Sequence, residues 1–250
     1  MNLSGIPKSS LLGRLIRYPL RLIPKDAAVP ILQGRFKGKK WIVGSANHGY
    51  WLGSYEFKKR LLFERVIQPG SVVYDVGGFV GYYTLLSSVL VGEQGRVVVF
   101  EPLPRNLHYL KEHLRLNGIS NVTVVEAAVS DQAGMLSFKE GPSRARGRLD
   151  QDGGLQVQAV RLDDLVESGE LPEPHYMKVD AEGAELHAFA GARRLLERCH
   201  PTLFLDTHGS DLHAESCRLL AELGYHLEAI DGKELQDSKE IFAVYEKGAI

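Results

Sequence analysis

The stretch that most constrains this chain is Tyr74-Asp75-Val76-Gly77-Gly78-Phe79-Val80-Gly81-Tyr82-Tyr83-Thr84. Ser71-Val72-Val73-Tyr74 leads into it, a β-branched and aromatic run with the pattern of a buried strand. Beyond it, Tyr83, Leu86 and Leu90 recur at helical spacing, so a helix begins near Gly81 with one apolar face. Glycines fill the turn between strand and helix. They let the backbone turn tightly and leave no Cβ between the main chain and a ligand. The helix N-terminus offers unpaired N–H groups to something electron-rich. A cofactor is expected across this turn.

Spacing narrows the choice. A dinucleotide fingerprint requires G-x-G-x-x-G, whereas this chain has D-x-G-G-x-x-G, with Asp75 two residues before the first glycine. An acid so placed would repel a pyrophosphate but suits an ammonium or sulfonium. S-adenosylmethionine carries both. The next strand, Arg96-Val97-Val98-Val99-Phe100, ends in Glu101, 26 residues after Asp75. A carboxylate at that strand tip can accept hydrogen bonds from both hydroxyls of a ribose.

The 250 residues suffice for one α/β domain with a sizeable core. Thirty basic against 31 acidic side chains give no global attraction to nucleic acid. Cys199 and Cys217 cannot make a disulfide framework, which favours a reducing compartment and hence the cytoplasm. No apolar run approaches the roughly 20 residues that span a bilayer. Residues 11–25 mix leucines and isoleucines with Arg14, Arg17, Arg21 and Lys25. They read either as a segment lying on an anionic membrane surface or, preferably, as a helix packed on the domain and interrupted at Pro19. The arginines break any signal-peptide core. Residues 1–68 are expected to form an N-terminal extension and residues 69–250 the cofactor-binding domain. The oligomeric state is not written in the sequence.

Residues 29–44 read as a small hairpin, followed by a glycine- and aromatic-rich loop and a helix from Phe57 to Ile67. In that loop His48, Trp51, Tyr55 and Glu56 could close over a small-molecule acceptor, or the aromatics could only seal the sheet's end. After Glu101 a helix bears Leu107, Leu110 and Leu114 and stops at Asn117-Gly118. Val122 to Glu126 form a third strand, and Ala127-Ala128 leave room for an adenine ring or for tight packing. Strands at 135–138 and 155–160 flank a loop with Arg144, Arg146 and Arg148, read as solvated rather than as a contact to an acidic or sugar-phosphate substrate. Asp163 is expected to cap the short helix that starts at Leu162. Tyr176 to Asp180 form a strand ending in Asp180-Ala181-Glu182-Gly183-Ala184-Glu185, then a helix through Leu186, Phe189, Leu195 and Leu196. Three acids crowded at a strand tip are costly without a nearby cation. The next strand ends in Asp206-Thr207-His208. A helix and two closing strands complete the chain.

Taken together these motifs resemble the FkbM-type S-adenosylmethionine-dependent methyltransferases over roughly residues 50–230. The resemblance rests on the Asp75–Thr84 turn, Phe100-Glu-Pro-Leu-Pro-Arg-Asn106, Ala127-Ala-Val-Ser-Asp131, Leu162-Asp-Asp-Leu165 and Lys178-Val-Asp-Ala-Glu-Gly-Ala-Glu185. It implies a class I methyltransferase fold: a seven-stranded, mostly parallel sheet with helices on both faces and an antiparallel last strand. It implies Asp75, Gly77 and Gly81 around the methionine part of the cofactor and Glu101 on the ribose. Gly78, Tyr82, Pro102, Asn106, Glu126, Ala127 and Asp180 complete the expected cofactor set. The family usually has Ala-Asn where Gly78-Phe79 stand here.

Transfer to a hydroxyl needs alignment and removal of a proton. His208 is the expected base, since neutral imidazole can accept a proton; a purely structural histidine is the other reading. Asp180 and Lys178 join it as catalytic candidates. Asp180 and Asp206, with Glu182 in reserve, could hold a magnesium ion that acidifies a sugar hydroxyl; equally, Asp180 could orient the cofactor's ammonium or Lys178. The acceptor implied by the resemblance is a sugar, glycan or secondary metabolite. An NAD-type oxidoreductase and a non-catalytic scaffold of the same fold are the alternatives.

Overall fold

The computed structural model describes residues 18–140, 147–149 and 154–246. In chain order its elements are β1 (Ala28–Pro30), β2 (Lys40–Ile42), α1 (Gly49–Leu52), α2 (Phe57–Val66), β3 (Val72–Val76), α3 (Tyr82–Val91), β4 (Arg96–Phe100), α4 (Pro104–Leu116), β5 (Val122–Val125), β6 (Ala128–Val129), β7 (Gly134–Glu140), β8 (Gly147–Leu149), β9 (Leu155–Val160), α5 (Leu162–Glu167), β10 (Tyr176–Val179), α6 (Glu185–Ala190), α7 (Arg193–Cys199), β11 (Thr202–Asp206), α8 (Ser210–Glu222), β12 (Tyr225–Ala229) and β13 (Glu240–Tyr245). Seven strands form one sheet in the order β12-β13-β11-β10-β3-β4-β5. Only β13 runs against its neighbours, β11 and β12. This is the expected fold class.

Successive side chains on a strand face opposite ways, and the core follows that rule. Tyr74, Val98, Met177 and Leu203 pack under α5, α6, α7 and α8, while Val73, Val97 and Phe204 pack under α2 and α3. Leu110 and Leu114 of α4 cover Val99 on the latter side. The strands are buried on both faces, which is why they read as near-continuous apolar runs. Ile31, Phe36, Trp41, Tyr50, Trp51 and Phe63, all before residue 69, share the second of these cores with Tyr82 and Tyr83.

Two local expectations need correction. The helix expected through Leu196 is two helices, α6 and α7, broken at Gly191-Ala192. There Gly191 passes so close to β6 that an added Cβ would lie 1.9 Å from the Ser130 carbonyl oxygen. Asp163 does not cap its own helix. It is buried inside α5, and its carboxylate accepts from the Arg194 and Leu195 N–H groups (3.2 and 2.9 Å), closing the N-terminus of α7. A side chain can satisfy any helix end that tertiary packing brings near, and sequence adjacency does not show which. Within the arginine-rich stretch, 147–149 pair with β7, giving a second sheet ordered β6-β9-β7-β8. Residues 11–17, Arg144 and Arg146, and the side chain of Arg148 lie outside the description.

Candidate active site

The order β10-β3-β4 places the reversal of chain direction through the sheet between β3 and β10, where open α/β sheets hold their ligands at the carboxyl ends of the strands. A cavity partly open to solvent lies there; the space it takes in, its open mouth included, is about 880 Å³. Across its floor the strand tips present Asp180 (after β10), Gly77 (after β3) and Glu101 (after β4). Strands stand about 4.8 Å apart, so the two acids are separated by roughly two spacings.

Gly77 is fixed by close approach. Its φ is +75°, and an added Cβ would sit 1.9 Å from the Asp180 carbonyl oxygen. Gly78 is equally tight, with Val99 Cγ2 at 2.1 Å from a built Cβ. The alanine usual in the family therefore has no room beside this valine. Phe79 follows in the left-handed region (φ 51°), a conformation asparagine tolerates and phenylalanine disfavours. The turn keeps it because the Phe79 N–H then donates to Glu101 Oε2 at 2.8 Å.

Glu101 is almost fully buried, and its other oxygen accepts from the Leu103 N–H (2.9 Å) and Asn106 Nδ2 (3.1 Å). Burial pushes its carboxyl up to about 7, against the opposing pull of the Leu103 N–H, the Asn106 side chain, the Phe79 N–H and Lys178. Its donors fix one geometry for the carboxylate at the cavity.

Asp75 sits elsewhere than expected. It does not line the cavity but lies beneath the turn, 1% exposed, accepting from Thr84 Oγ1 at 2.6 Å. Lys178, its cross-strand neighbour, holds its ammonium 3.3 Å from Asp75 and 3.7 Å from Asp180 and donates to the Gly77 carbonyl at 2.8 Å. Burial alone would lower this ammonium's pKa, but Asp75 and then Asp180 hold it above the ordinary lysine value. The acids that do line the cavity are Glu101, Asp180 and Glu182.

Other expected residues divide in the same way. Gly78, Tyr82, Pro102 and Asn106 line the cavity. Gly81 instead packs on α4, with Leu110 Cγ 3.2 Å from a built Cβ. Glu126 is half exposed and paired with Lys111, and the Ala127 side chain is buried beside the lining rather than in it; Ala128 and Val129 take its place. Of the four loop residues expected there, Tyr55 lines the cavity, and Tyr50, stacked on it at 3.9 Å, lines it too. His48 pairs with the indole of Trp51, which is buried, and Glu56 turns to Lys59. Phe79, Tyr83 and Phe138 add to the walls and had no signal as ligand contacts, since each reads as ordinary core.

The acids expected to share a metal ion are split between two clusters. Asp206 belongs with Glu56 and Glu240, grouped around the Lys59 ammonium, whereas Asp180 and Glu182 meet His208. The donor atoms of Asp180, Glu182 and His208 lie within 4.8 Å of one another. His208 Nδ1 is 2.7 Å from the fully buried Glu185, and Nε2 is 3.6 Å from Asp180 and 3.5 Å from Glu182. The Glu185 hydrogen bond, with Asp180 and Glu182 adding and burial opposing, raises the imidazole's pKa above its ordinary 6.5. Burial keeps the phenols of Tyr50, Tyr55, Tyr82 and Tyr83 protonated, so none of these is a base near neutrality. The arrangement can hold a cationic ligand and fix a ribose; His208 is not part of the lining but stands against two residues that are, Asp180 and Glu182.

Among known proteins, the hexuronic acid methyltransferase AglP of Haloferax volcanii is 30% identical over 166 residues, covering 65% of this chain and 66% of that protein. The chain thus spans just under two thirds of this relative. The precorrin-6y C5,15-methyltransferase of Geobacter metallireducens superposes with a TM-score of 0.50 at 17% identity, over 80% of this chain and 93% of that one, a likeness of fold alone. Methyltransferase FkbM of Methylobacillus flagellatus gives 0.49 at 18%, over 80% and 56%. The methyltransferase FkbM domain matches residues 75–227, which is more than half of the sequence. The chain belongs to the FkbM methyltransferase family.

Proposed function

We propose that this chain is an S-adenosylmethionine-dependent O-methyltransferase acting on a hydroxyl of a sugar, glycan or secondary metabolite. The observation that carries the reading is Glu101: a buried carboxylate, held by three donors, at the cavity end of the strand beside the glycine turn. It fits a ribose diol, and the acids across the floor fit the positive charge of the donor. Bound there, S-adenosylmethionine supplies a methyl group already activated by its sulfonium.

The chain's own residues do the rest. Glu101 accepts from the ribose hydroxyls, with Asn106 keeping its carboxylate in place. Lys178 is a positioning residue, bracing the Gly77 carbonyl and the two aspartates around it. Asp180 attracts the donor's ammonium. His208 takes the acceptor's proton at Nε2 while Glu185 holds Nδ1. Proximity and orientation of this kind contribute about 7–11 kcal/mol to a barrier, and a positioned base about 10²–10⁴-fold. The loop of residues 49–56 closes the site, through Tyr50 and Tyr55. The acceptor class is supported by the family and by a relative that carries hexuronic acid methyltransferase in its name. No helix among the described residues is long and apolar enough to cross a membrane. Both cysteines are free thiols, which suits a reducing compartment such as the cytoplasm.

Incubating the protein with methyl-labelled cofactor and a cell extract, then identifying the labelled product, tests the reading. We expect label on a saccharide or metabolite oxygen, with transfer surviving exhaustive EDTA. Label on nitrogen or carbon would contradict O-methylation, and loss with EDTA would bring back the metal.

A further inference from the structure

Lys59 is the least expected side chain in the molecule. In the sequence it stands between Lys58 and Arg60, in a run of three basic residues, yet it is wholly buried. Its ammonium meets both carboxylate oxygens of Asp206 at 2.7 Å, lies 3.4 Å from Glu240, and pairs with Glu56. Asp206 and Glu240 are direct cross-strand partners on β11 and β13, where like charges repel. One ammonium from α2 joins those strand tips to the residue that enters α2. Glu56 has a left-handed backbone (φ 40°), a costly conformation for a glutamate that persists only where the surroundings hold it. Tyr55, immediately before it, stacks on Tyr50, and both line the cavity. The same ammonium lies 5.4 Å from the ring centre of Tyr83, a third wall of the cavity.

We propose that Lys59 is a positioning residue, a built-in cation that pins the aromatic loop of residues 49–56 to the strand tips and so closes the cavity over its ligand. The proposal rests on the methyltransferase reading only for the identity of that ligand. Removing the ammonium leaves facing carboxylates without their shared counter-ion, and the loop that carries Tyr50 and Tyr55 loses its hold while the sheet stays intact.

The test uses the full chain with Lys59→Ala and Lys59→Met. Both tryptophans, Trp41 and Trp51, lie in or beside this loop, so intrinsic fluorescence reports on this region. We expect a red-shifted emission, amide exchange at 49–56 faster by at least tenfold with exchange in β3 and β10 unchanged, and S-adenosylhomocysteine affinity weaker by at least tenfold. In Lys59→Ala, n-propylammonium, which replaces the missing carbons and charge, is expected to restore affinity; tetramethylammonium at the same concentration is not. If the alanine variant does not fold, Lys59→Met decides, since it fills the space without charge. Exchange that rises uniformly over the chain with ligand affinity unchanged would overturn the proposal, as would wild-type loop exchange in Lys59→Met. Should the wild type itself bind no S-adenosylhomocysteine, the cofactor reading fails, while emission and exchange still judge Lys59.

Discussion

Replacing Glu101 with alanine is expected to weaken S-adenosylhomocysteine binding about a hundredfold or more. Hydrogen bonds to a charged group contribute about 1.5–3 kcal/mol each, and a carboxylate gripping both hydroxyls of a ribose makes two of them. The loss should also appear as a pH dependence in the unaltered protein. With the carboxyl pushed up to about 7, its ionised fraction falls below that pH, so affinity at pH 6 should be roughly a tenth of that at pH 8. Linkage sets the sign for stability. The folded carboxyl keeps its proton to about 7, whereas the unfolded one releases it near 4.5. The folded state therefore binds more protons between those values, and the ligand-free protein should lose stability as pH rises through that window. Titration calorimetry at several pH values and thermal melts over the same range measure both. Pocket affinity unchanged by Glu101→Ala would remove this residue from the site.

Replacing His208 with alanine should leave S-adenosylhomocysteine binding nearly unchanged and lower turnover by about 10²–10⁴-fold, the range of a general base. The expected pH profile follows from its neighbours. Glu185, Asp180 and Glu182 favour the imidazolium, so the base form appears only as pH rises through a value above 6.5. Turnover should climb through that limb and level off. His208→Ala should abolish the limb. Glu185→Gln, which removes the hydrogen-bonding charge, should shift it to lower pH. Single-turnover rates with a labelled methyl donor measure each, and normal turnover by His208→Ala would assign the proton to another group.

The strands and the glycine turn were legible because their reasons are local. Parallel strands buried on both faces must be apolar throughout, and a ligand-bearing turn that approaches another backbone, as Gly77 does at Asp180, must lack a Cβ. The place of Glu101 at the cavity was legible for a related reason, an acid standing where a strand ends. The roles of charged groups were not. Asp75 is partnered by Lys178, more than a hundred residues away, and only the pairing of β3 with β10 brings them together. Asp206 was assigned to a metal site with Asp180, but α2 folds back to supply Lys59 instead. Asp163 closes a helix other than its own. In each case the charge was visible and its counter-charge or donor was set by tertiary contacts that spacing does not encode.

An adenosyl ligand seated in the cavity between Gly77 and Glu101 would be registered by isothermal titration calorimetry. S-adenosylhomocysteine should bind the purified protein at one site with micromolar or tighter affinity, and NAD should give no measurable heat. Saturable binding of NAD, with none of S-adenosylhomocysteine, would exclude an adenosylmethionine site.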